Sequence, residues 1–132
     1  MHGEKDLTRL LKTMTPELND GEYVFCSVPD SFTIDVTKIA GSFKEKEGLT
    51  IILDKQIADS LNLTYHFVAK WITLNVHSSL EAVGLTAAFS NALAEAGISC
   101  NVVAAYYHDH IFVAKADADK AMEVLRKLSV SF

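Results

Sequence analysis

The sequence predicts an α+β chain of two tandem βαββαβ modules, the N-terminal copy degenerate. Three observations predict it. After residue 70 the chain reads strand, helix, strand, strand, helix, with clear start and stop signals. A strand, an aspartate and a helix follow one another twice, at 49–61 and again at 111–128. Finally, 49% hydrophobic residues against 22% charged is the balance of a globular chain. At 132 residues there is room for one ordinary domain or two small ones, and a chain of this size buries roughly two-thirds of its unfolded surface. The expected division is 1–67 and 68–132.

The elements follow in order. Leu7, Leu10, Leu11 and Met14 keep helical spacing, and Pro16 lies just past their end. Gly21 releases a strand over 22–28, apolar on both faces, as a central strand is. Pro29-Asp30-Ser31 is a turn signal, Phe32, Ile34 and Val36 alternate in an extended stretch, and the polar run 41–47 reads as a mobile loop. Gly48 opens a strand over 49–53. Asp54 is placed to cap a short helix carrying Ile57, Ala58 and Leu61, and an extended stretch covers 64–67.

The second half is sharper. A strand over 71–76 enters a long helix at Ser78, three residues before Glu81 in capping-box spacing. Leu85, Ala88, Phe89, Ala92, Leu93 and Ala96 form its apolar stripe, and Gly97 stops it. A strand over 98–105, a turn set by Asp109 within 107–110, and a returning strand over 111–115 come next. Asp117 can cap a last helix whose Ala118, Ala121, Met122, Leu125 and Leu128 face inward, and 129–132 can add a closing strand. This succession is the split-βαβ arrangement of the ferredoxin-like fold.

Composition narrows the function classes. The formal net charge is −5 and the 12 basic residues are scattered, which argues against a nucleic-acid partner. No run approaches ~18 apolar residues and the amino end lacks a signal-peptide pattern, so no membrane partner and a cytoplasmic, reducing location are expected. Cys26 and Cys100 sit in apolar alternating segments and read as buried free thiols, poor nucleophiles. There is no Walker-type phosphate loop, no Gly-x-Ser-x-Gly elbow, no His-Glu-x-x-His and no coenzyme A pyrophosphate turn. No catalytic residue, cofactor or metal is assigned.

The residues leave two candidate regions. The first is His77-Ser78-Ser79-Leu80-Glu81, where a helix start offers unpaired N–H groups and a partial positive charge suited to a carboxylate or phosphate. Capping by Ser78 and Glu81 is the alternative, and it leaves Ser79, His77 and the backbone near Gly84 available. Gly84 itself stands where a helix prefers alanine by ~1 kcal/mol, which points to close approach of a ligand or to tight packing. The second region is His108-Asp109-His110 beside Tyr106 and Tyr107, a pocket or edge. A zinc ion would need at least a third protein ligand there, and the favoured reading is structural, with the histidines solvated or packed at the hairpin edge. Trp71 is expected to anchor the junction of the two halves.

The second half resembles an ACT domain, a βαββαβ ligand-binding module. The resemblance rests on the polar turn Asn75-Val76-His77-Ser78-Ser79, the helix start Val83-Gly84-Leu85 and the helix end Ala96-Gly97-Ile98. The stretches 76–86 and 105–113 are similar to a bacterial family of stand-alone tandem ACT-like proteins of unassigned role. The resemblance implies a non-catalytic regulatory or sensor protein holding a small metabolite, an amino acid or small carboxylate. The ligand would sit at the first β-α turn and the backbone of the neighbouring strand, at Asn101 and Val102. It also implies a homodimer. Many ACT domains that bind amino acids place an aspartate in that turn; this chain has His77, Ser78 and Ser79 instead. The alternatives are a small enzyme, acyltransferase-like or metal-dependent, and a ligand-free protein-interaction module.

Overall fold

The computed structural model describes residues 6–76 and 83–130. The elements are α1 (Leu7–Thr13), β1 (Thr15–Leu18), β2 (Tyr23–Val28), β3 (Ile39–Lys44), β4 (Leu49–Asp54), α2 (Lys55–Ser60), β5 (Val68–Asn75), α3 (Leu85–Glu95), β6 (Asn101–Ala104), β7 (Asp109–Ala114) and α4 (Ala118–Val130). They fall into two compact units. One comprises the described residues up to Asn19 and from Trp71 onward, the other Asp20–Lys70. The boundary lies inside β5.

In the first unit the strand order is β1-β5-β7-β6. The closing strand is not 129–132, since α4 runs to Val130. It is β1, from the start of the chain, antiparallel to β5 with Thr15 opposite Asn75 and Leu18 opposite Ile72. Pro16 sits within it, buried. Proline lacks the N–H a central ladder needs, and among the described residues β1 pairs with β5 alone, an edge position where proline is tolerated. The core joins Leu10, Leu11 and Met14 to Ile72, Leu74, Phe89, Leu93, Ile111, Val113 and Leu125, so both predicted apolar stripes face it. Gly97, at φ +78°, ends α3. Its N–H donates to Ala94 O and that of Ile98 to Leu93 O, both at 2.9 Å, satisfying the last carbonyls. Lys120 of α4 donates to Ala96 O at 2.8 Å and completes that end.

Three expectations in this unit are corrected. The described part of α3 begins at Leu85, with Gly84 as its N-cap in the left-handed region, so Gly84 is not a helix-interior residue. The strand predicted over 98–105 shortens to β6, because Ile98 is held at the helix stop. Asp117 does not cap α4: it lies in a 3-10 turn, Lys115–Asp117, that runs straight into the helix.

The second unit has the order β3-β4-β2-β5. Its core is Val24, Cys26, Val28, Ile51, Leu53 and Ala58. Asp54 caps α2 as predicted, Oδ1 accepting from Gln56 N at 2.7 Å. No helix joins β2 to β3; the connection carries one 3-10 turn, Val36–Lys38. The degeneracy expected of this copy lies there. The mobile loop expected over 41–47 is corrected, since β3 pairs with β4 from Ile39 opposite Leu53 to Lys44 opposite Leu49. As an edge strand it stays mostly exposed. Pairing is therefore carried by backbone groups and by the apolar β4, and the Ile39-Ala40-Gly41-Ser42-Phe43-Lys44 sequence of β3 shows no apolar alternation of its own.

Candidate functional site

His77, Ser78, Ser79, Leu80 and Glu81 lie outside the described residues, and with them the predicted capping box. The entrance to α3 is described from Val83. Gly84 has φ +95° and ψ −15° and offers no side chain to cap the helix. Its carbonyl accepts from Ala88 N at 2.9 Å, the first intrahelical bond. A Cβ at this position would stand 3.1 Å from Leu7 Cδ2, so the backbone turns tightly over α1. N–H groups at such a start carry the positive end of the helix dipole.

Asn101 and Val102, expected beside the ligand, belong to the β6–β7 hairpin. Asn101 Nδ2 donates to Phe112 O at 3.1 Å. Val102 is half-buried, opposite Ile111 and packed on the core. Their side chains are thus engaged within the hairpin.

The hairpin tip is corrected in two respects. Ala105 N donates to His108 O at 3.0 Å, so Tyr106 and Tyr107 make the turn. Both are exposed, packed edge to face at 4.9 Å between ring centres, and neither enters the core. Asp109 is not the turn residue; it is the first residue of β7, opposite Ala104 and 8% exposed.

A polar network sits beside that tip. Trp71 Nε1 donates to His110 Nδ1 at 3.0 Å. Thr73 Oγ1 lies 3.1 Å from the same nitrogen, and Asn19 Nδ2 donates to Thr73 Oγ1 at 2.9 Å. The Trp71 ring stacks on Phe112 at 5.9 Å. An indole N–H only donates, so His110 Nδ1 must be an acceptor and the neutral ring carries its proton on Nε2. Burial, and then the neighbouring His108, hold the His110 pKa below the ordinary imidazole value. Burial pushes the Asp109 carboxyl up, with His108 opposing. The His108 and His110 rings stand 6.3 Å apart and nearly perpendicular, and buried His108 Nδ1 has no hydrogen-bond partner among the described residues. The structure joins His110 to Trp71, Thr73 and, through Thr73, Asn19, three residues that the sequence alone does not join to it, with His108 beside the His110 ring. Trp71 and Thr73, two apart on one strand, carried a signal; Asn19 carried none.

Chemically the network fixes an uncharged imidazole in one tautomer. Among the described residues, no group of three or more His, Cys, Asp or Glu is placed to hold a metal ion. Burial, and to a lesser extent Asp59, raise the Cys26 thiol pKa. The Cys100 thiol is raised by burial and partly offset by a hydrogen bond with Ser90. Both cysteines are free thiols, Cys26 buried and Cys100 half-buried. No described helix is long and apolar enough to cross a membrane.

Two family profiles described as ACT domain match the chain, one over residues 2–70 and the other over 67–127. No curated protein matches it. Among solved structures, a Vibrio cholerae protein of unknown function, described as a possible transport protein, is 47% identical, with 95% of this chain and 97% of that one covered and a TM-score of 0.84. An Agrobacterium tumefaciens protein is 17% identical over 88% of this chain and 89% of that one, with a TM-score of 0.66. The ligand-free regulatory subunit of the Thermus thermophilus aspartate kinase is 9% identical, covers 88% of this chain and 99% of its own, and has a TM-score of 0.63. These last two likenesses concern the fold alone.

Proposed function

The chain belongs to the ACT-domain family, and from that premise we propose that it is a regulatory protein that senses a small metabolite, an amino acid or small carboxylate, without transforming it. The ligand is held at the entrance to α3, by backbone N–H groups near Gly84 and by His77, Ser79 and their neighbours in the turn. The observation that carries the reading is Gly84. A left-handed glycine at the N-cap supplies no capping oxygen, and an anionic group supplied from outside complements the helix start. The same fold serving as a regulatory subunit of an aspartate kinase supports a regulatory role.

A thermal melt of the full chain against amino acids and small carboxylates tests this. A ligand at ~100 times its Kd stabilises the fold by ~2.7 kcal/mol, which for a chain of this size raises Tm by roughly 10 °C. His77→Ala with Ser79→Ala should remove the shift and leave the ligand-free Tm unchanged. A complete panel without a shift refutes the reading and favours an interaction module.

The protein acts in the cytoplasm as a homodimer. Edge strand β6 and its turn carry Val103, Tyr106 and Tyr107, 41%, 68% and 62% exposed, and an unpaired apolar edge is a liability that a second copy covers. Light scattering showing only monomer at working concentrations would remove this claim.

A further inference from the structure

We propose that the Asp20–Lys70 unit carries a second, separate binding site, for a small molecule with an aliphatic body and one anionic group. The reason lies in the missing helix. A βαββαβ module packs two helices side by side on its sheet. In this unit only α2 is present, and the β2–β3 connection passes with a single 3-10 turn. That connection and α2 together line a cleft of about 300 Å³.

Its walls are Ile34 from the connection and Ile57 and Leu61 from the end of α2. Leu61 is 43% exposed, apolar surface that gains from being covered. Four polar side chains line the same space, Thr33, Asp35, Lys38 and Ser60, and Thr33 Oγ1 donates to Ser31 O at 3.5 Å. Asp35 and Ser60 are committed as well. Asp35 Oδ1 accepts from Thr37 N at 2.9 Å and from Thr37 Oγ1 at 2.8 Å, holding the 3-10 turn, and those bonds keep its carboxyl pKa low. Ser60 Oγ donates to Ile57 O at 2.7 Å. Among the described residues, nothing forms a hydrogen bond or ion pair with the Lys38 ammonium.

The groups of the cleft left without a hydrogen bond are therefore three aliphatic side chains and the Lys38 ammonium, whose charge also acts on the ionised Asp35 carboxylate held in its turn. An aliphatic carboxylate satisfies both. At ~30 Å³ per water the space holds roughly ten water-sized atoms, the lower end of ligand pockets, which suits a short acid and excludes a macromolecular partner. The site is built from none of the residues at the α3 entrance and does not depend on that reading.

Titration of the ¹⁵N-labelled full chain with hexanoate tests it, with hexylamine and acetate as controls. The expected result is saturable amide shifts over 33–38 and 57–61 with hexanoate and none with either control. Lys38→Gln, or separately Leu61→Ser, should weaken binding about tenfold. Lys38 is exposed, so Lys38→Gln should leave Tm unchanged, whereas Leu61, more than half covered, should lose a little stability as serine and is read by its binding alone. Equal response to hexylamine, unchanged affinity in Lys38→Gln, or no saturable shift with butyrate, hexanoate or octanoate overturns the proposal. Shifts confined to 84–88 would do the same, while supporting ligand binding at the α3 entrance.

Discussion

Replacing Gly84 by alanine tests the geometry of the α3 entrance, because helix propensity and the structure predict opposite signs. If Gly84 lay inside a helix running from Ser78, alanine would stabilise by ~1 kcal/mol. In the structure it is an N-cap at φ +95°, where an L-residue meets its own carbonyl at a cost of roughly 1–2 kcal/mol. The added Cβ also meets Leu7 Cδ2 at 3.1 Å. That methyl ends a flexible side chain, so relief by an off-rotamer shift costs about another 0.5–1 kcal/mol. The total is a loss of roughly 1.5–3 kcal/mol. Gly97 is the internal control, at φ +78° with nothing within 4 Å of an added Cβ. Gly97→Ala should cost only the backbone part, about 1–2 kcal/mol. Urea denaturation of both variants measures this, as midpoint shifts at constant slope. Leu7→Ala combined with Gly84→Ala should show a favourable coupling, since the obstructing methyl is gone. Stabilisation by Gly84→Ala, or a larger loss at Gly97 than at Gly84, would refute the reasoning.

Two further predictions follow from the polar groups. Because His110 is held neutral, the unfolded chain takes up a proton at a higher pH than the folded one. Stability is thus fully present above the unfolded imidazole value of about 6.5 and is lost as pH falls below it, levelling off once the folded His110 is protonated. A proton on Nδ1 also abolishes the acceptor for Trp71, the sole tryptophan. Its fluorescence should change with a midpoint below 6.5, and a midpoint at or above that value would contradict the buried, neutral assignment. At the α2 cap, Asp54→Ala should cost about 1 kcal/mol in urea denaturation while Asp54→Asn costs a few tenths at most; equal losses would show that charge matters there more than capping.

How much of this was legible depended on how local the cause was. The α3 and α4 stripes, the Asp54 cap and the Gly97 stop are written in side chains within a few residues of the structure they produce, and all stand where expected. What escaped was set by distant partners. The stretch Gly41-Ser42-Phe43-Lys44 carries no apolar alternation and becomes a strand because β4 offers it a backbone ladder. Residues 15–18 contain a proline and become a strand because β5, more than fifty residues away, has an open edge. Asp109 carries turn chemistry but is drawn into β7, leaving two tyrosines to form the turn. His110 reads in sequence as a pocket or edge residue, yet its tautomer is fixed by Trp71, 39 residues away.

The same non-locality makes a stronger claim about folding. A chain cut between residues 67 and 68 keeps β5, α3, β6, β7 and α4 together and reads as a module in sequence. It nonetheless loses Leu10, Leu11 and Met14, which are 0%, 0% and 2% exposed in the core of that unit, and β1, which covers one edge of β5. Burying a leucine or methionine contributes about 1.5–3 kcal/mol, so the three together supply roughly 5–9 kcal/mol, comparable with the whole stability of a small domain. A fragment of residues 68–132 should therefore lack a cooperative thermal transition and bind a hydrophobic dye. Adding a peptide of residues 6–19 in excess should restore the transition, because helix α1 and strand β1 are short and contiguous and dock onto the same unit. Cooperative unfolding of the fragment alone, at a Tm near that of the full chain, would show that the first nineteen residues decorate that core rather than complete it.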